Sequence, residues 1–115
     1  ENPYKFIGVL VDEKLRSNWS LYLEGDKKNL VKILSKINKV DLIHYDSEKR
    51  YHGRKYVFNL LENLINKDTI VVMDDIQDNS FFYDYVMKKD IKNYKMFKYE
   101  NKYVGLIMNR ENNIE

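Results

Sequence analysis

Two short apolar runs, each ended by aspartate, constrain the fold of this 115-residue chain most tightly. One is Asp41-Leu-Ile-His-Tyr45, followed by Asp46; the other is Thr69-Ile-Val-Val-Met73, followed by Asp74 and Asp75. Both are too short for a stable helix and rich in branched or aromatic residues, which predicts strands over 41–45 and 69–73. Between them, Tyr51, Val57, Phe58, Leu61, Leu64 and Ile65 recur at three- and four-residue spacing, which predicts a helix over 51–65. A strand, a helix and a strand in that order make a parallel pair joined by a right-handed crossover. Asp46 and the Asp74-Asp75 pair then lie at one edge of the sheet, beyond the carboxyl ends of the strands, where open α/β sheets bind ligands.

The flanking segments extend the same alternation. Trp19-Ser-Leu-Tyr-Leu-Glu24 has strand composition over 20–24, and Gly25-Asp26 supplies a turn and a helix N-cap. Leu30, Val31, Ile33, Leu34 and Ile37 then predict a crossover helix over 27–39, with a lysine-rich solvated face. Ser80 to Lys88 reads as a short helix, and 94–99 with 103–108 reads as an antiparallel hairpin around Glu100-Asn101-Lys102. Tyr4 to Val11 is expected as an extended lead-in, and Asp12 to Asn18 as a short helix or loop. The expected class is therefore α/β with a mixed sheet. Leu42 and His44 oppose Ile43 and Tyr45, and Ile70 and Val72 oppose Val71 and Met73, so both sheet faces are apolar and both need cover. Crossovers running in one direction lay their helices on one face only. The other face is expected to be covered by an N-terminal part of a longer protein or by a partner subunit, including a second copy of the chain.

Composition excludes several classes. A formal charge of +2 from 20 basic and 18 acidic side chains leaves no continuous basic stripe for a phosphate backbone, so nucleic acid is not the expected partner. With no cysteine there is no disulfide framework, thiolate metal site or cysteine nucleophile. No apolar run approaches the roughly 18 residues of a membrane span, and the start lacks a signal-peptide pattern, so a soluble, cytoplasmic chain without membrane contact is expected. The chain starts at Glu1 rather than methionine, as a piece of a longer protein would.

Three carboxylates at one strand edge repel one another, so they call for a hard cation, a basic partner or a carboxyl with a raised pKa. Oxygen ligands without cysteine or a histidine pair favour Mg²⁺, Mn²⁺ or Ca²⁺ over zinc. Aspartates at strand ends also commonly cap helices and accept loop hydrogen bonds, and the spacing alone favours that plainer reading. His44, within a strand, is expected as a packed, hydrogen-bonded core residue, whereas His52 lies closer to the acidic edge. Arg50 and Arg54 are candidates to neutralise the aspartates. Phe81-Phe82-Tyr83, Trp19 and most tyrosines read as core and rim residues more readily than as a ligand wall.

Asp41 to Tyr51, followed some twenty residues later by Ile70-Val-Val-Met-Asp-Asp-Ile76, resembles class I S-adenosylmethionine-dependent methyltransferases, in particular the small-molecule O-methyltransferase-like branch. In that family an aspartate ends the fourth strand, an aromatic follows, a helix crosses over, and an acidic or amide pair ends the fifth strand. Asp46, Tyr51, residues 54–65, and Asp74 with Asp75 match these in order. The 20–24 segment with Gly25-Asp26 resembles the third strand and the acidic turn beside the adenine, and the terminal hairpin resembles the antiparallel sixth and seventh strands. The resemblance, over roughly Trp19 to Met108, implies a partial Rossmann-like methyltransferase sheet in which the single domain 1–115 is the carboxyl-terminal portion of a larger one. It implies Asp26 and Asp46 as cofactor-binding residues, Asp46, Asp74 and Asp75 as ligands of Mg²⁺ or another divalent cation, and Lys49 with Asp46 as catalytic residues toward the hydroxyl of a small-molecule or sugar acceptor. The chain departs from the family in its glycines: Gly8, Gly25, Gly53 and Gly105 form no G-x-G turn, so these residues alone should bind S-adenosylmethionine poorly. A non-catalytic methyltransferase-like module that assembles through its uncovered sheet face is the alternative. A phosphorylatable receiver domain is disfavoured, because such domains carry their aspartate pair near the start.

Overall fold

A computed structural model describes residues 3–108 of the chain. The helices are α1 (Asp26–Leu34), α2 (Tyr51–Leu61) and α3 (Phe81–Lys88), and the strands are β1 (Leu42–Tyr45), β2 (Ile70–Met73), β3 (Tyr94–Tyr99) and β4 (Lys102–Met108). They form one small α/β unit around a four-stranded mixed sheet of order β1-β2-β4-β3. β1 and β2 are parallel, with Ile43 opposite Val71 and Tyr45 opposite Met73. β4 is antiparallel to both neighbours, placing Ile107 beside Val71 and Gly105 beside Met73. The C-terminal hairpin thus inserts its second strand next to β2 and leaves β3 at the edge.

Each central element forms because its apolar residues share a face. In α2, positions 54, 57, 58 and 61 make one helical stripe, and Arg54, Val57, Phe58 and Leu61 are all buried. Full burial of each of the three apolar members contributes about 1.5–3 kcal/mol. They pack on Tyr45, Val71, Met73 and Ile107 of the sheet and on Phe81, Phe82 and Val86 of α3, with Leu30 and Leu34 of α1 at the margin. Thr69 is buried at the start of β2, where its hydroxyl donates to the Val40 carbonyl at 3.0 Å and accepts the Asn66 N–H at 3.1 Å.

All three helices lie on this face. Leu42, His44, Ile70, Val72, Val104, Leu106, Met108 and Phe97 share the other face by register, and no helix among the described residues covers it. Leu42 is 58% exposed and Phe97 53%. Among the described residues no helix is long and apolar enough to cross a membrane.

Five expectations are corrected. Residues 20–24 are not a strand: Leu21 and Leu23 are exposed, and the Glu24 N–H donates to Asn29 Oδ1 instead of to a ladder. Strand composition needs a neighbouring strand to become a strand, and this segment has none beside it. The first helix stops at Leu34 instead of 39, because Ser35 donates its hydroxyl to the Lys32 carbonyl and the last turn tightens through Lys36 N–H to Ile33 C=O. The second stops at Leu61 instead of 65; an irregular turn then carries Leu64 and Ile65 against the core. The lead-in over 4–11 is not extended but forms a 3-10 turn over Pro3–Phe6 and a further turn in which Gly8 has φ 74°, whereas the short helix or loop expected over 12–18 is a 3-10 helix over Glu13–Asn18. His44 is likewise exposed rather than packed, since it projects from the uncovered face.

Candidate functional site

The parallel register builds the site. Because Tyr45 lies opposite Met73, both chains leave the sheet at the same end, and the Asp74 N–H donates to the Tyr45 carbonyl at 2.9 Å. Asp46 follows β1 and Asp74 follows β2. Asp75 then takes a left-handed conformation (φ 49°, ψ 45°) and begins a 3-10 turn over Ile76–Asp78. One carboxylate oxygen from each of Asp46, Asp74 and Asp75 lies within 4.8 Å of the others.

Basic groups meet this cluster. Lys49 Nζ pairs with Asp46 Oδ1 and stands 3.1 Å from Asp75 Oδ2, and Lys102 Nζ lies 3.6 Å from Asp75 Oδ1. Gln77 Nε2 donates to Asp75 Oδ1 at 3.2 Å, while its carbonyl accepts the Tyr103 N–H at 2.8 Å and ties the cluster to β4. The Asp75 side chain is only 14% exposed, so these partners are poorly replaced by water. The hydrogen bond from Lys49 holds the Asp46 carboxyl below the usual aspartate range against the opposing effect of burial. Lys49, and after it Gln77, does the same to Asp75. For Lys49 itself, burial pulls the ammonium pKa down, but the hydrogen bonds to Asp46 and Asp75 together outweigh it and leave the amine above its ordinary value.

Arg54 is 1% exposed and makes no salt bridge to the aspartates. Its guanidinium donates to three main-chain carbonyls: Nε to Lys49 at 3.0 Å, Nη1 to Asp74 at 3.1 Å and Nη2 to Asp75 at 3.0 Å. It also lies 5.6 Å from the centre of the Tyr45 ring, within cation–π range. Asn79 Nδ2 adds a second donor to the Lys49 carbonyl at 2.7 Å. Arg50 pairs with Glu48 in a two-pronged contact of 2.7 and 2.9 Å. The expectation that both arginines neutralise the aspartates is therefore corrected: fork geometry suits Arg50 to its neighbouring glutamate, and helical spacing carries Arg54 inward beneath the loops.

Asp26 opens α1 and accepts a hydrogen bond from the Ser47 hydroxyl, so it meets the residue next to Asp46 instead of the carboxylate cluster itself. Asp26 and Ser47 line two adjoining clefts. One, of about 420 Å³, lies between the apolar side of α1 and β1, and the other, of about 530 Å³, lies between the starts of α1 and α2. His52 is exposed and lines the second cleft together with Asp26. Tyr51 donates its hydroxyl to Asp84 Oδ2 at 2.7 Å and faces α3. Phe81 and Phe82 are core residues, while Tyr83 is exposed.

The residues that sequence reading placed at one edge divide into Asp46, Lys49, Asp74 and Asp75 in one cluster and Asp26 beside it. Gln77, Asn79 and Lys102 were not foreseen as site residues. Lys102 arrives from the hairpin, and no local pattern signals it. Arg54 had a readable signal, since it occupies the first position of the 54-57-58-61 buried stripe. In comparisons with protein-family models, curated proteins and solved structures, the chain matches none.

Proposed function

We propose that this chain is the acceptor-side portion of an S-adenosylmethionine-dependent methyltransferase that transfers a methyl group to a hydroxyl of a small molecule or sugar. The observation that carries the reading is the meeting of Asp46, Asp74 and Asp75 at the carboxyl ends of a parallel strand pair, followed by a C-terminal antiparallel hairpin. The donor set suits Mg²⁺ or a similar hard cation: all its ligands are oxygen, and their charge is at present met by Lys49 and Lys102. Asp46, Asp74 and Asp75 would hold such a cation, which would supply positive charge to orient and acidify the acceptor's hydroxyl. Lys49, within hydrogen-bonding reach of Asp46 and Asp75, would accept that hydroxyl's proton. Asp26, at the mouth of the cleft between α1 and α2, stands on the side where the resemblance implies the cofactor's adenine. The cofactor would supply an electrophilic methyl carbon to the acceptor oxygen. No glycine-rich turn for it exists in these 115 residues, so full binding needs a segment beyond them.

The test is isothermal calorimetry of the full-length gene product with S-adenosylmethionine, with and without Mg²⁺. Heat of binding is expected, and its absence in both conditions would sink the reading. The uncovered sheet face favours a second reading, a non-catalytic module that assembles through that face. A stable assembly burying Leu42 and Phe97, with no response to cation or cofactor, would select it.

A further inference from the structure

We infer that Arg54 is a positioning residue that assembles the acidic cluster by holding main-chain carbonyls from beneath; the inference rests on the reading of that cluster as an acceptor-side site. Three observations carry it. First, a fully buried guanidinium lies beside Asp74 and Asp75 yet spends its donors on carbonyl oxygens, those of Lys49, Asp74 and Asp75. A buried charge without a charged partner persists only where several hydrogen bonds stabilise it. The carboxylate oxygens are thereby left facing Lys49, Lys102 and the solvent side. Second, its acceptors belong to both loops of the site. Lys49 lies between β1 and α2, and Asp74 and Asp75 lie after β2, so one rigid fork sets the separation of the two loops. The Tyr45 hydroxyl, donating to the Glu48 carbonyl at 2.7 Å, and Asn79, donating to the Lys49 carbonyl, brace the first loop from either side.

Third, Asp75 is held in a left-handed backbone conformation that residues other than glycine adopt reluctantly. In that conformation the carbonyls of Asp74 and Asp75 both meet the guanidinium, on Nη1 and Nη2, while the Asp75 carboxylate turns to Lys49. Arg54 therefore stabilises the backbone state that aims the carboxylate. A lysine has one ammonium and no fork, so it cannot serve all three carbonyls in this plane.

The experiment compares wild type, Arg54→Lys and Arg54→Gln by Mn²⁺ affinity, measured by electron paramagnetic resonance below each variant's unfolding temperature. The expected result is at least a tenfold loss of affinity in both variants at full folded population. Unchanged affinity in the folded fraction, with only a lowered unfolding temperature, would overturn the inference and leave Arg54 a packing residue. If wild type binds no Mn²⁺, the cation reading fails while the positioning role is still decided by a double-mutant cycle. In that cycle the coupling of Lys49→Met with Asp75→Asn, expected at up to about fivefold in the folding equilibrium, is measured with Arg54 and with Arg54→Lys. Loss of coupling with lysine supports positioning, and equal coupling overturns it. Should both Arg54 variants fail to fold, Asn79→Ser loosens the same Lys49 carbonyl without disturbing the buried charge. A severalfold loss of the same affinity or coupling is then expected, and none would count against the inference.

Discussion

At the scale of single residues, charge and backbone conformation make separable predictions. Asp46 and Asp75 have carboxyls held below the ordinary aspartate value, chiefly by Lys49. A depressed folded pKa contributes stability that is fully present above about pH 4 and lost as pH falls through the folded value. Lys49→Met removes the cause, so the stability difference between wild type and variant should shrink steadily below about pH 4 in urea titrations. A pH-independent difference would show that the lysine stabilises by packing. Asp90 follows α3 with φ 53°, while the N–H groups of Ile91 and Asp90 close the helix onto the carbonyls of Val86 and Met87 at 2.9 and 3.2 Å. This is the C-terminal closure that glycine fits best. Its ion pair with Lys92 is exposed and contributes little. Asp90→Gly should therefore raise stability by about 0.5–1 kcal/mol, read from the urea midpoint. Neither effect was visible in the sequence, because an aspartate after a helix has the same letters whether its φ is negative or positive.

At the scale of elements, the sheet and its helices interlock at Gly105. A Cβ built there would lie 2.4 Å from the Phe82 ring, so α3 rests directly on the β4 backbone. Gly105→Ala should cost about 1–3 kcal/mol through overpacking, measured by chemical denaturation. Phe82→Leu in the same chain should recover part of the loss, since it clears the ring atoms in conflict. The two central strands, α2, α3 and the hairpin were legible because each carries its own apolar period. The segment 20–24 carries a strand-like composition too, yet stays irregular. Its composition permits pairing, but pairing is a property of two segments, and none lies alongside. Helices α1 and α2 were overextended because apolar spacing continues past Leu34 and Leu61, while Ser35 and the turn to Leu64 end the helical hydrogen bonding.

At the scale of the whole molecule, all the helical cover among the described residues lies on one side of the sheet. The other side carries exposed Leu42 and Phe97 around half-buried Ile70, Val72, Leu106 and Met108, an apolar surface of the kind that marks an interaction site. The 115-residue chain should bind an environment-sensitive hydrophobic dye or self-associate in size-exclusion chromatography, and Leu42→Lys combined with Phe97→Lys should reduce whichever occurs. A monomeric, cooperatively folded wild type that binds no dye would show that this face needs no partner. The alternation of apolar periods by itself determined the α/β class, the parallel pair, the one-sided helices and the shared edge of Asp46, Asp74 and Asp75, because crossover handedness follows from chirality and not from distant contacts. Only the tertiary structure decided that Lys49 lies between Asp46 and Asp75, that Lys102 joins from the hairpin, and that Arg54 holds carbonyls instead of carboxylates. Apart from the local Lys49–Asp46 pair, those partnerships connect residues 20 to 27 positions apart or depend on the plane of one guanidinium, and three-dimensional packing alone sets such distances.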